Sequence, residues 1–106
     1  MMIDRKKLKS AVINGKIEWQ RHALERLMER GISREAIKNV LLSGEVIEDC
    51  EDYFPYPGAL IFGWYKKDPL HVVVALDHDN AQCYIITAYV PDLEHFEPDF
   101  KTRREK

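Results

Sequence analysis

At Glu45 the hydrophobic period of this chain changes from 3.6 residues to 2, which divides it into a helical first part and a sheet-forming second part. Before that point, Ile3, Leu8, Val12 and Ile13 are spaced for a short amphipathic helix, with Asp4 near its start and Asn14–Gly15 as its stop. Lys16 to Gln20 (KIEWQ) alternates and predicts a brief extended piece. The segment HALERLMERGIS, His22 to Ser33, predicts a second helix that ends at Gly31, where the missing Cβ permits a left-handed residue. Ser33 caps a third helix through Ala36, Ile37, Val40 and Leu41, with Gly44 as its stop. Beyond Glu45, Val46 and Ile47 lead into the acidic EDCED and then Tyr53-Phe54-Pro55-Tyr56-Pro57, whose two prolines exclude a central strand. Ala59 to Tyr65, Leu70 to Asp77 and Ala81 to Val90 are rich in β-branched and aromatic residues, and the turns KKDP and HDN separate them into an antiparallel meander. Helices placed before a sheet imply an α+β domain in which N-terminal helices pack on one face of an antiparallel β-sheet.

With 106 residues, 45% of them hydrophobic and 32% charged, one domain spanning 1–106 is expected, carrying a polar, basic C-terminal tail from about Pro91. Folding at this length removes roughly 65% of the unfolded chain's surface, enough for a core without disulfide or metal staples. Cys50 and Cys83, 33 positions apart without CxxC spacing, read as a reduced cytosolic pair, with Cys83 in the core. The N-terminal MMIDRKKLKS has no apolar stretch behind it, and the longest aliphatic run is Val72 to Leu76. Neither a signal peptide nor a membrane-spanning helix is expected, and the cytoplasm is the expected location.

The net charge of −2 conceals a division: residues 1–38 hold ten Lys/Arg against five Asp/Glu, residues 39–100 hold two against twelve, and residues 101–106 hold four against one. Attraction to phosphate acts within about a Debye length, roughly 8 Å at physiological salt, so basic ends permit a nucleic-acid partner despite the acidic middle.

No HExxH, P-loop, GxSxG or Rossmann glycine pattern is present, and no cofactor is implied. Asp77-His78-Asp79-Asn80 holds metal-capable side chains, but at a hairpin tip these are turn formers, and no metal site is assigned. On the second helix His22, Arg26 and Arg30 recur every four residues and line one side, while Leu24, Leu27 and Met28 fall on another. One side packs and the other meets an anion; His22 is a candidate acid or base. On the strand from Leu70, His71 shares a face with Val73, Ala75 and Asp77. If the turn is His78-Asp79-Asn80, His71 pairs with Thr87 and lies near Tyr89, whereas a four-residue loop puts Thr87 on the opposite face; the same face is expected. Tyr89 offers a hydroxyl or a stacking surface, while Trp64, Tyr65 and Tyr84 are core or sheet-surface aromatics. Arg103 and Arg104 are suited to bidentate phosphate binding. Metal-free RNA cleavage requires a base for the ribose hydroxyl, an acid for the leaving oxygen and cations for the phosphate, and each residue type is present. Charge placement predicts that the second helix, the open end of the Leu70–Val90 hairpin and the tail converge on one cationic cleft, with Arg103 beside Arg26 or Arg30.

HALERLMERGIS with the helix after it, PLHVVVALD, YIITAYVPD and the terminal PDFKTRR stand in an order that resembles the bacterial and archaeal family called domain of unknown function 4258. That family is similar to RelE-like toxins, small α+β ribonucleases whose genes accompany a small zinc-finger or helix-turn-helix antitoxin. The resemblance marks His22, Arg26, Arg30, His71, Thr87, Tyr89 and Arg103 as polar motif positions. The expected roles are catalytic for His22, His71 and Tyr89, and RNA or phosphate binding for Arg26, Arg30, Thr87 and Arg103. It implies a metal-independent endoribonuclease toxin acting on RNA; the alternative is a non-catalytic RelE-fold module that binds a protein or nucleic acid. The chain departs from typical RelE-like toxins in its mild acidity and its lack of a lysine-rich strand.

Overall fold

In the computed structural model, which describes residues 3–50 and 55–105, the chain runs α1 (Arg5–Ile13), β1 (Ile17–Trp19), α2 (Arg21–Arg30), α3 (Arg34–Ser43), β2 (Glu45–Cys50), β3 (Gly58–Tyr65), β4 (Asp68–Asp77) and β5 (Gln82–Tyr89). Residues 51–54, which hold the end of the acidic segment and Tyr53–Phe54, lie outside the described residues, as does the side chain of Cys50. The helix boundaries follow their caps. Asp4 accepts from the backbone N–H groups of Lys6 and Lys7, Ser33 Oγ accepts from that of Ala36, and Gly31 closes α2 at φ 67°.

The sheet order is β1-β5-β4-β3-β2. Strands β3 to β5 form the expected antiparallel meander and β2 extends it at the edge of β3, but β1 lies between α1 and α2 and pairs parallel to β5, so the sheet is mixed and helices and strands interleave. The KKDP turn is tighter than expected: Lys66-Lys67 alone makes it, and Asp68-Pro69 belong to β4.

All three helices lie on one face. Leu8, Ala11 and Val12 of α1, Ala23 and Leu27 of α2, and Ala36, Ile37, Val40 and Leu41 of α3 bury against Ala59, Ile61, Leu70, Val72, Val74, Leu76, Cys83, Ile85 and Ala88. Val40 sits over Gly63, where an added Cβ would meet its side chain at 3.1 Å, so glycine lets α3 approach β3 closely. Two apolar residues expected to pack do not: Ile13 is exposed at the end of α1, and Met28, one position and about 100° beyond Leu27, is 82% exposed. Cys83 is a buried free thiol pushed up to about 12 by burial. No helix among the described residues is long and apolar enough to cross a membrane.

The tail after Pro91 packs on the other sheet face through Phe96 and Phe100, at the end that holds Trp64 and His71, and two strands of the sheet, β5 and β2, carry an extra residue. In β5, Val74 pairs with Ile85 and Val73 with Thr87, leaving Ile86 as a bulge; in β2, Val46 pairs with Ile61 and Glu48 with Leu60, leaving Ile47 as another. The loop from β4 to β5 therefore has four residues, 78–81, yet Thr87 still shares a face with His71, because the bulge restores the alternation. His71 itself pairs with Tyr89 rather than with Thr87.

Candidate functional site

His71 lies between Phe62 of β3 and Tyr89 of β5 in the sheet register, so three rings stand abreast on the face away from the helices. The tail adds Phe96 above them. The His71 ring meets Phe62, Tyr89 and Phe96 at centroid distances of 5.6, 5.3 and 4.6 Å, all in edge-to-face arrangements, and the residue has 0% exposure. Its Nε2 lies 2.6 Å from the Phe100 carbonyl oxygen, which only accepts, so Nε2 carries the proton. In the neutral ring Nδ1 then accepts from the Tyr89 hydroxyl at 3.3 Å. Burial holds the pKa below the ordinary 6.5; the Phe100 carbonyl and Glu48 oppose that shift, and Arg103 reinforces it. The result is a neutral imidazole with both nitrogens engaged, which ties the tail to the sheet and orients Tyr89.

The tail is folded rather than a loose basic arm. Phe96 bridges to Arg103, the Glu97 N–H donates to the Thr102 carbonyl and the Arg104 N–H to that of His95, while Asp99 accepts from Lys101, Thr102 and the Thr102 hydroxyl at the tip. Arg103 lies over the Phe96 ring at 5.1 Å and makes a two-pronged ion pair with Glu48, Nε to Oε2 at 2.7 Å and Nη2 to Oε1 at 3.1 Å. The bulge at Ile47 is what turns Glu48 toward this face. Lys101 pairs with Glu45 at 2.6 Å and Arg104 with Glu97 at 3.3 Å, so each of these tail cations has an acidic partner.

Arg30 reaches the same region from the end of α2. β1 stops at Trp19, opposite Ile85, and beyond it the edge of β5 is open to other donors. Arg30 Nη1 donates there to the Ala88 carbonyl at 2.7 Å and to the Thr87 hydroxyl at 3.3 Å. Arg30, Tyr89, Val90, His95, Phe96 and Arg103 line a depression of about 330 Å³ with Pro91 and Asp92. The end of α2, the end of β5 and the tail thus meet, with Arg30 and Arg103 on one cavity, Thr87 bonded to Arg30, and His71 behind Tyr89.

His22 and Arg26 do not join them. Both are exposed, as is Arg30, while Leu27 is buried and Leu24 half-buried, so the outward side of α2 is as expected. His22, however, is eight residues before Arg30, about 12 Å along the helix axis. Among the described residues neither His22 nor Arg26 contacts the depression. The expected set therefore divides into an assembled group and two side chains on a separate stretch of helix.

The unexpected member is His95. Its Nδ1 lies 2.8 Å from Asp92 Oδ1, whose oxygen also accepts from the backbone N–H groups of Glu94 and His95 at 3.0 and 2.9 Å. The His95 hydrogen bond is the main reason the Asp92 carboxyl is held below its ordinary range. In sequence this is a histidine three places after an aspartate in a polar segment, a pattern of ordinary turns. The turn motif at Asp77 is likewise satisfied locally, by Asp79, Asn80 and the Asn80 amide, while His78 Nε2 accepts from the Asp4 N–H.

A search of curated proteins finds no match to this chain. Residues 19–90, from the end of β1 to just past β5, match a family described as Domain of unknown function (DUF4258), while the terminal PDFKTRR lies beyond the matched residues. Because that match spans well over half of the sequence, the chain belongs to the DUF4258 family.

Proposed function

We propose that this chain is a RelE-like toxin of a toxin–antitoxin pair, a metal-independent endoribonuclease that acts on RNA at the depression bounded by Arg30, Tyr89 and Arg103. The observation that carries this reading is the return of the tail: Arg103, fourteen positions beyond the end of β5 and far from α2 in sequence, lines the same cavity as Arg30. Two guanidiniums on one cavity suit a phosphodiester whose charge grows during cleavage. Tyr89 lines the same cavity with its hydroxyl bonded to His71, which makes it a candidate proton donor to the leaving oxygen or a platform for a base. Helices packed on one sheet face and the antiparallel pairing of β2 to β5 support the RelE-like part of this reading, while the parallel β1 between α1 and α2 departs from helices that simply precede an antiparallel sheet. A small antitoxin of zinc-finger or helix-turn-helix type is the proposed protein partner.

A second reading, a non-catalytic RelE-fold module that binds a protein or nucleic acid, is favoured by the ion pairs of the tail, since Glu45, Glu48 and Glu97 offset Lys101, Arg103 and Arg104. Incubating the purified chain, freed of any partner, with cellular RNA and mapping the new ends separates the two. Discrete cleavage with no added metal supports the toxin; RNA that stays intact while being bound supports the module.

A further inference from the structure

The rim of the site carries an imidazole beside a guanidinium, and it is shared by two hollows. His95 and Arg103 close one side of the depression that contains Arg30 and Tyr89, and they are also walls of a neighbouring depression of about 370 Å³ completed by Glu94, Arg104 and Glu105. A phosphodiester within single-stranded RNA has a nucleoside on each side, so two hollows joined by a rim with a cation match the polymer around one phosphate. Resting on the ribonuclease reading above, we propose that the scissile phosphate lies on this rim and that His95 is the proton-transfer group of the site.

The geometry distinguishes His95 from the other histidines. His71 is enclosed with both nitrogens engaged, His22 stands near the opposite end of α2, and His78 is bonded to the start of α1. The His95 side chain is 67% exposed, and its Nδ1 faces a carboxylate that only accepts, so Nδ1 carries a proton and the neutral ring leaves its lone pair on Nε2. Asp92 is itself fixed by two backbone donors, so it acts as a positioning residue that sets the tautomer and limits rotation of the imidazole. In the proposed step His95 Nε2 takes the proton of the ribose 2′-hydroxyl, and that oxygen attacks the adjacent phosphorus. The bond from phosphorus to the 5′-oxygen breaks, and the departing oxygen takes the Tyr89 proton as that hydroxyl turns from His71 Nδ1 toward the cavity. Tyr89 is reprotonated from water as His95 releases its proton, leaving a 2′,3′-cyclic phosphate and a 5′-hydroxyl. Arg30 and Arg103 hold the phosphate oxygens through both stages.

The test uses the full chain, a single-stranded oligoribonucleotide carrying a mapped cleavage position, and a copy with a 2′-deoxyribose at that position. His95→Gly is expected to lose about 100-fold or more in cleavage rate, the usual contribution of a general base, with RNA affinity little changed. Added imidazole is expected to restore part of that rate to His95→Gly but none to Tyr89→Phe. Asp92→Asn, which keeps an oxygen for the backbone donors, is expected to lower kcat with KM unchanged. The deoxy copy is expected to bind and remain intact. Wild type that cuts RNA while His95→Gly cuts it equally fast, or products ending in a 5′-phosphate, would overturn this assignment and leave the ribonuclease reading standing. Wild type that binds RNA and cuts none removes both.

Discussion

Replacing His71 by alanine measures how much of this molecule hangs on one enclosed side chain. The substitution removes a ring held edge-on by Phe62, Tyr89 and Phe96 and leaves a cavity between the sheet and the tail. Truncating a buried aromatic ring costs roughly 3–5 kcal/mol in well-packed cores. Here the Phe100 carbonyl also loses its donor, a penalty of about 1–3 kcal/mol that water entering the cavity partly offsets. A total of roughly 4–6 kcal/mol is a large part of the roughly 5–15 kcal/mol that holds a domain of this size together. His71→Phe keeps the ring volume and gives up only the two hydrogen bonds, so its expected cost is about 1–3 kcal/mol. Urea unfolding followed by fluorescence and circular dichroism, with the slope of the transition unchanged, supplies both values. A His71→Ala protein within about 1 kcal/mol of wild type would refute the packing argument, because deletion of a fully enclosed ring cannot be that mild unless the tail is not seated on it. The same arithmetic governs how biological tests are read. In a test of the proposed toxin activity, a loss of effect in His71→Ala would report instability as readily as lost chemistry, and His71→Phe is the more telling variant.

Three further outcomes are expected. Because the folded-state pKa of His71 is lowered, the unfolded chain binds its proton first as the pH drops; the contribution of the neutral ring is complete above about 6.5 and is lost as the pH falls toward the folded value, so urea midpoints should decline there and His71→Phe should flatten that slope. In a Cys50→Ser background, Cys83 should react with an aromatic disulfide reagent only as fast as the protein opens, since its thiol is buried and pushed up to about 12; rapid labelling of the native protein would contradict its position. On the proposed RNA-binding reading, Arg30→Ala should weaken binding to RNA across sequences and reduce its salt dependence by about one counterion, as phosphate contacts do, and an unchanged salt slope would count against the proposed site.

The helical half was readable because its signals are local. Asp4, Ser33 and Gly31 stop and start helices through bonds to their immediate neighbours, and the apolar stripes of α1 to α3 follow the helical period apart from Ile13 and Met28. In the sheet, the unbroken alternation of β4 correctly grouped His71 with Val73, Ala75 and Asp77, but which of its two faces the helices would cover was not legible. What could not be read were Ile47 and Ile86, since one more isoleucine in an apolar run leaves no local trace, yet each moves the following residues to the other face. Glu48 and Tyr89 owe their orientation to them. The tail was legible as charge but not as structure: Phe96 and Phe100, four residues apart among acids, were the available sign that it docks, and the turn that holds His95 is common in loops with no function.

The bulge at Ile86 also gives the β4–β5 hairpin mechanical slack. Core positions on β5 fall at Cys83 and Ile85 before it and at Ala88 after it, so the strand consists of two halves with independent parity. A one-residue change in the 78–81 loop would ordinarily invert every side chain along the returning strand. Here the inversion can be absorbed at Ile86: lengthening or shortening the tip shifts the half that pairs with β1, while Thr87 and Tyr89 stay in register with Val73 and His71. The hairpin tip is thereby free to vary in length without disturbing the end of the sheet where the tail docks, whereas deletion of Ile86 removes the residue that gives the two halves their separate parity.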